Sequence, residues 1–167
     1  MSQSIPDMVL RRSGTAPVRR QPEQAMLRTR RETAAALSHV PLFAGFSKKA
    51  LTSLAADTDV VSFAAGHKVV EEGMLGEAMF VILSGEATVL KGKRRLGTIL
   101  PGEFFGEVAI LDGSPRSATM VAATPLVAIR LFRRTLLRFL EAEPQLAIKI
   151  LAGIVRRMRA LTSSLDA

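Results

Sequence analysis

The stretch Gly102-Glu103-Phe104-Phe105-Gly106-Glu107-Val108-Ala109-Ile110-Leu111-Asp112-Gly113-Ser114-Pro115-Arg116-Ser117-Ala118-Thr119 decides how this chain is read. Gly106 can take backbone angles closed to other residues and lets a ligand approach the main chain. Glu107 opens a short apolar run, Val108 to Leu111, long enough for one or two helical turns. The first N–H groups of such a turn have no internal partner and lie at the positive end of the helix dipole. They suit an anion, and phosphate is the usual one. Asp112-Gly113-Ser114-Pro115 is turn chemistry that reverses the chain. Arg116 is thereby delivered back beside the helical turn, where its planar fork of donors can grip two phosphate oxygens. Glu107 would repel phosphate and instead suits a hydroxyl donor, such as that of a sugar. The stretch reads as a place for one phosphate and one sugar hydroxyl, a short distance apart.

Outward from it, short β-segments alternate with glycines. The expected strands are Thr58–Phe63, His67–Glu71, Ala78–Leu83, Glu86–Leu90 and Arg95–Leu100 before the stretch, then Ser117–Ala123 and Pro125–Leu131 after it. Ala78–Leu83 is continuously apolar, as a central strand should be. Lys91-Gly92-Lys93 makes a tight hairpin. Eight or so short strands with regular turn residues predict a mainly β fold, an eight-stranded β-roll or jelly roll with flanking helices. Ser47 can cap a helix that buries Leu51, Leu54 and Ala55. Two helices close the chain. Arg133–Glu141 is amphipathic, and Pro144 starts a second helix with Ala147, Ile150, Leu151, Ile154, Met158 and Leu161 on a wide apolar stripe.

Phe105-Gly106-Glu107, Ala109 and Pro115-Arg116-Ser117-Ala118-Thr119 together resemble the phosphate-binding cassette of cyclic nucleotide-binding domains, found in the catabolite activator protein, in protein kinase A regulatory subunits and in cyclic nucleotide-gated channels. Gly-Glu or Arg-Ser-Ala-Thr alone would be weak, but the pair with a helix-length run and a Gly-Ser-Pro turn between is specific. Val40 to Phe46 is similar to the family's Pro-Leu-Phe entry. The resemblance covers Pro41 to about Leu161. It implies a cyclic mononucleotide ligand, cAMP or cGMP, held by Gly106, Glu107, Val108, Ala109, Arg116, Ser117 and Ala118. Glu107 would accept the ribose 2′-hydroxyl with help from the Gly106 backbone. Arg116 and Ser117 would hold the cyclic phosphate, with the N–H groups of Ala109 and Ala118. Val70, Val81, Leu83, Val108 and Ala118 are candidates for the apolar wall. With no Trp or Tyr in the chain and no aromatic residue after Phe139, the base would be capped by Ile154, Met158 or Arg157. Ser117 is compatible with either base, and cAMP is the preferred ligand.

The composition bounds the rest. The chain has 167 residues, no Cys and a hydrophobic fraction of 48%. Disulfide and thiolate chemistry are excluded. No apolar run approaches a bilayer span, and the arginines near the N-terminus, Arg11-Arg12 among them, lack the apolar region of a secretory or twin-arginine signal. The expectation is a cytoplasmic protein. The net charge is +8, and half of it sits in residues 1–32, where seven arginines face three acids. Residues 1–36 read as a basic arm, disordered over 1–21 with a helix expected at 22–38, and residues 37–167 as the nucleotide-binding domain. The arm suits acidic partners or simply packs on the domain; no aromatic residue interleaves its arginines, which disfavours nucleic acid. His39 and His67 lie in different elements, so no metal site is expected. No nucleophile–base arrangement is present, which points to a binding module and not an enzyme. The implied mechanism moves the terminal helices when ligand binds. An unidentified effector protein, or a homodimer through Ile150, Ile154 and Met158, would read that movement. The alternatives are an interaction domain of the same fold that binds no nucleotide, and a basic-arm binder of nucleic acid or acidic surfaces.

Overall fold

The computed structural model describes residues 30–165. The arm over 1–21 and the first part of the helix expected at 22–38 lie outside the described residues. What is described begins with α1 (Arg30–Ser38), a 3-10 turn (Pro41–Phe43) and α2 (Lys48–Ala56). Ser47 caps α2, its Oγ accepting the Ala50 N–H at 3.1 Å. Leu51, Leu54 and Ala55 form the buried face of α2. α1 straddles the boundary drawn from composition at residue 36 and buries Thr33, Ala34 and Leu37.

Strands β1 (Asp59–Phe63), β2 (Lys68–Val70), β3 (Ala78–Ser84), β4 (Ala87–Lys91) and β5 (Arg94–Ile99) follow. The chain continues through β6 (Phe104–Phe105), α3 (Glu107–Asp112), β7 (Thr119–Ala122) and β8 (Leu126–Phe132). It closes with α4 (Arg133–Ala142) and α5 (Pro144–Leu165). Among the described residues the strands form two antiparallel four-stranded sheets, in the orders β1-β8-β3-β6 and β2-β7-β4-β5. This is the expected eight-stranded roll with flanking helices. β6 is a strand that the sequence pattern did not reveal. Two residues are too short for a visible alternation, and only pairing of Phe105 with Phe80 and of Phe104 with Val81 defines it.

Two cores meet at β3. Met79 and Val81 face a helical core with Leu37, Phe43, Leu54, Leu136, Leu146 and Ile150. Phe80 and Ile82 face the interior of the roll with Phe105, Met120, Leu126 and Ala128. A strand covered on both faces must be apolar throughout, which is why Ala78–Leu83 carries no alternation. Val81 and Leu83 pack on the helical side, so neither belongs to the apolar wall proposed for them.

α5 also departs from its sequence reading. Its inner face is Leu146, Ile150 and Gly153, all buried, at four- and three-residue steps. Ile150 is 2% exposed inside the helical core and cannot meet a second copy; Ile154 packs partly against that core. Met158 lies on the outer face with Ile148, Leu151 and Val155, which are exposed. The sequence stripe blended two apolar faces, because residues three and four apart populate both sides once more than half the turns are apolar. No helix among the described residues is long and apolar enough to cross a membrane.

Candidate functional site

Gly106 caps α3 with φ 86°, in the left-handed region. A Cβ there would stand 2.5 Å from Arg116 Nη1 and 3.2 Å from the Ala78 carbonyl oxygen. Glycine is thus required both for the turn and for the close approach of arginine to the main chain. α3 ends at Asp112, whose Oδ1 accepts the Ser114 N–H at 2.8 Å. That side-chain-to-backbone turn redirects the chain. Arg116 follows, held at its backbone by the Met74 carbonyl and the Gly73 N–H, both at 2.8 Å.

The Arg116 side chain is 7% exposed. Its Nη1 donates to the Gly106 carbonyl at 3.0 Å and its Nη2 to the Ala78 carbonyl at 2.6 Å. A guanidinium has five N–H donors, so three remain beyond these two bonds. Gly76 makes room for it: a Cβ at that position would lie 2.1 Å from Nε. Burial pulls Arg116 below its ordinary pKa, and the nearby Glu107 carboxylate opposes the shift.

Glu107 is 1% exposed. Its Oε1 accepts from Arg157 Nη1 at 2.8 Å, an ion pair reaching from α5. Arg157 Nη2 donates to the Phe104 carbonyl, and the guanidinium lies over the Phe104 ring at 4.8 Å. Glu107 Oε2 is buried without a hydrogen-bond partner. Burial raises the Glu107 pKa; the charge of Arg157, the Glu107 backbone N–H, the hydrogen bond of Arg157 and, more weakly, the charge of Arg116 oppose it. A buried carboxylate oxygen without a donor is uncommon in folded proteins and costs free energy. The group it lacks is a hydroxyl or N–H.

All seven residues singled out in the sequence, Gly106, Glu107, Val108, Ala109, Arg116, Ser117 and Ala118, line one cavity of about 130 Å³. Val70 lines it as expected. Of the three base-capping candidates, Arg157 alone is on its wall. The sequence reading missed Val89, Ile99 and Met120, and carried Phe105 only as part of the quoted motif. Val89, Ile99 and Met120 come from β4, β5 and β7 and are brought together by the register of the second sheet, which pairs Val89 with Met120, while Phe105 enters from β6 of the first sheet. The cavity is smaller than the ~300 Å³ at the lower end for small-molecule sites. Arg157 is the one lining residue that α5 contributes.

Among the described residues no group of three or more His, Cys, Asp or Glu could hold a metal ion. His67 stacks on Phe63 at 5.5 Å.

Residues 60–143 match the sequence profile of the Cyclic nucleotide-binding domain family. The chain is 28% identical over 134 residues to the CRP-like cAMP-activated global transcriptional regulator of Mycobacterium tuberculosis, covering 77% of this chain and 60% of that protein. It is 36% identical over 106 residues to the cAMP-dependent protein kinase regulatory subunit of Aspergillus fumigatus, covering 62% of this chain and 26% of that one. The crystal structure of the Thermus thermophilus catabolite activator protein superposes with a TM-score of 0.66 at 30% identity, covering 75% of this chain and 62% of the other. The chain thus spans less than two thirds of the length of each of these relatives.

Proposed function

The chain belongs to the cyclic nucleotide-binding domain family, and from that premise we propose that it is a sensor module that binds a cyclic mononucleotide and signals through α4 and α5. The observation that carries this reading is Glu107 Oε2, buried, unpartnered and set in the wall of the cassette cavity. A ribose 2′-hydroxyl is the donor it lacks. The cyclic phosphate lies against the remaining donors of Arg116, the Ser117 hydroxyl, and the N–H groups of Ala109 and Ala118. Val70, Val89, Ile99 and Met120 supply the apolar surface for the sugar and base. cAMP is the first nucleotide to test, since the mycobacterial and fungal relatives are named for it; cGMP is the second.

The signal begins at Arg157. In the structure its guanidinium holds Glu107 from α5. A ribose hydroxyl arriving at the same carboxylate competes with it, and the nucleotide needs the space that Arg157 bounds. Ligand therefore favours a different placement of the Arg157 side chain and of the helix that carries it. A shift of α5 alters whatever its outer face touches. That face presents Ile148, Leu151, Val155 and Met158 at steps of three and four residues, the spacing of a helix–helix seam. We place the homodimer contact there, with Met158 retained from the sequence reading and Ile150 and Ile154 removed from it. The effector remains a protein of unspecified identity, and the location is taken as the cytoplasm.

Thermal melts of the full chain with and without nucleotide test the binding claim. A ligand at one hundred times its Kd stabilises by ~2.7 kcal/mol, which for a chain of this size raises Tm by about 5–10 °C. No shift with either nucleotide at millimolar concentration would refute it.

A further inference from the structure

A second cavity, of about 540 Å³, lies on the far side of Arg157. The Pro101–Phe104 turn forms one wall and α5 the other. The floor on α5 is made of small residues. Gly153 lies so close to Phe104 that a Cβ would stand 2.6 Å from its Cζ. Along this side α5 carries Lys149, Arg156 and Arg157. The one acid in the lining, Glu103, is engaged with the turn: its Oε2 accepts the Leu100 N–H at 2.7 Å. Lys149 Nζ donates to the Ala44 carbonyl and lies 5.5 Å above the Phe46 ring, so neither neighbour neutralises its charge. Arg156 is exposed and has no carboxylate partner among the described residues. With Arg157 paired to Glu107, the groove carries the two free positive charges of Lys149 and Arg156 against the one negative charge of Glu103 and is basic on its α5 side.

Lys149 and Arg156 are seven residues apart, so they stand about 10 Å apart along the helix. A single phosphate or carboxylate cannot reach both. An extended chain rises ~3.3 Å per residue with side chains on alternate faces, so carboxylates two or four positions apart share one face at about 7 or 13 Å and bracket that separation. Apolar lining from Leu42, Pro101 and Phe104 suits the residues between them. We propose that the groove between the Pro101–Phe104 turn and α5 docks a short acidic segment of a partner protein, with Lys149 at one end and Arg156 at the other. Arg157 borders both this groove and the cassette cavity. A nucleotide that takes Glu107 leaves the guanidinium available to the groove, so nucleotide and acidic segment strengthen one another's binding. The docking site stands on the groove alone; the coupling rests on the nucleotide reading above.

The probe is a fluorescein-labelled octapeptide of alternating glutamate and leucine, with a lysine–leucine octapeptide as control, titrated against the full chain by fluorescence anisotropy. The acidic peptide binds and the basic one does not. Lys149→Glu and Arg156→Glu each weaken binding tenfold or more, with circular dichroism unchanged, and Arg19→Glu/Arg20→Glu in the arm leaves it within twofold. Saturating cAMP tightens the peptide threefold or more. Affinity indifferent to both groove substitutions, or abolished by the arm substitutions, overturns the docking site. A DNA duplex that binds and is lost with the same groove substitutions overturns the peptide as occupant. Peptide binding that follows the groove substitutions but ignores cAMP upholds the site and overturns the coupling. If cAMP itself fails to bind in a parallel melt, the failure belongs to the cassette reading, and the groove substitutions still decide the docking site.

Discussion

Replacing Arg157 with Ala removes the guanidinium that stands 2.8 Å from a carboxylate only 1% exposed. Breaking a buried pair by removing one partner typically costs ~3–5 kcal/mol. Arg157 is 38% exposed, so water screens its side of the pair and the cost falls to about 1–3 kcal/mol. For a chain of this length, ~2 kcal/mol lowers Tm by about 4–8 °C. The pH dependence is the sharper signature. Burial already holds the Glu107 pKa above its ordinary value, with Arg157 opposing; without Arg157 it rises further. A carboxyl group whose pKa is raised by folding binds more protons folded than unfolded. Stability is then greatest below the ordinary carboxylate range and is lost as pH rises through the window up to the raised value. The Arg157→Ala deficit should therefore be small in acid and grow toward neutral pH. Adding Glu107→Gln to Arg157→Ala should flatten that slope. Melts of the variants from the acid side of the carboxylate range to neutrality measure it. A deficit that is constant with pH, or that shrinks toward neutrality, would refute the electrostatic account of this contact.

Arg116→Ala strips donors from the Gly106 and Ala78 carbonyls, so it should lower stability by about 1–3 kcal/mol as well as weaken cyclic nucleotide binding tenfold or more; a denaturant titration beside a binding titration reads both, and an unchanged affinity sinks the assigned role. Gly76→Ala places a Cβ 2.1 Å from Arg116 Nε, which displaces the guanidinium, so nucleotide affinity should drop although residue 76 lies outside the cassette. Ile150→Asp and Leu151→Asp separate the two faces of α5. The first buries a charge in the helical core and should prevent stable folding, whereas the second leaves the monomer folded and, by sedimentation, dissociates any dimer built on the outer face.

The fold was legible because its strongest signals were local. Serine before Lys48, proline at 144, and glycines where left-handed turns occur each act within a few residues. The grouping of the candidate residues was legible for the same reason: Gly106 to Ala118 are close in sequence, and all seven of them line one cavity. The missed residues depend on distant partners. Val89 and Met120 meet only through pairing of β4 with β7. Which face of β3 looks into the roll depends on where the helices pack, which the sequence does not reveal, and of the candidates for the wall Val81 and Leu83 lie on the helical side. Arg116 was read as a phosphate contact alone; the two carbonyls it holds, one of Gly106 and one of Ala78 on β3, make it structural too. Arg157 was read as one of three possible caps on a base. Its bond to Glu107 follows from the way α5 crosses the end of β6, a relation between segments some fifty residues apart.

The proposed function stands or falls on whether the cavity around Glu107 and Arg116 binds a cyclic nucleotide. Calorimetric titration of the full chain with cAMP and, separately, with cGMP at moderate salt tests it most directly. Saturable binding of at least one of them is expected, at one site per chain with micromolar affinity or better, with loss of that heat in Arg116→Ala. Absence of any heat from both nucleotides up to millimolar concentration, with the folded state confirmed in the same sample, would contradict it.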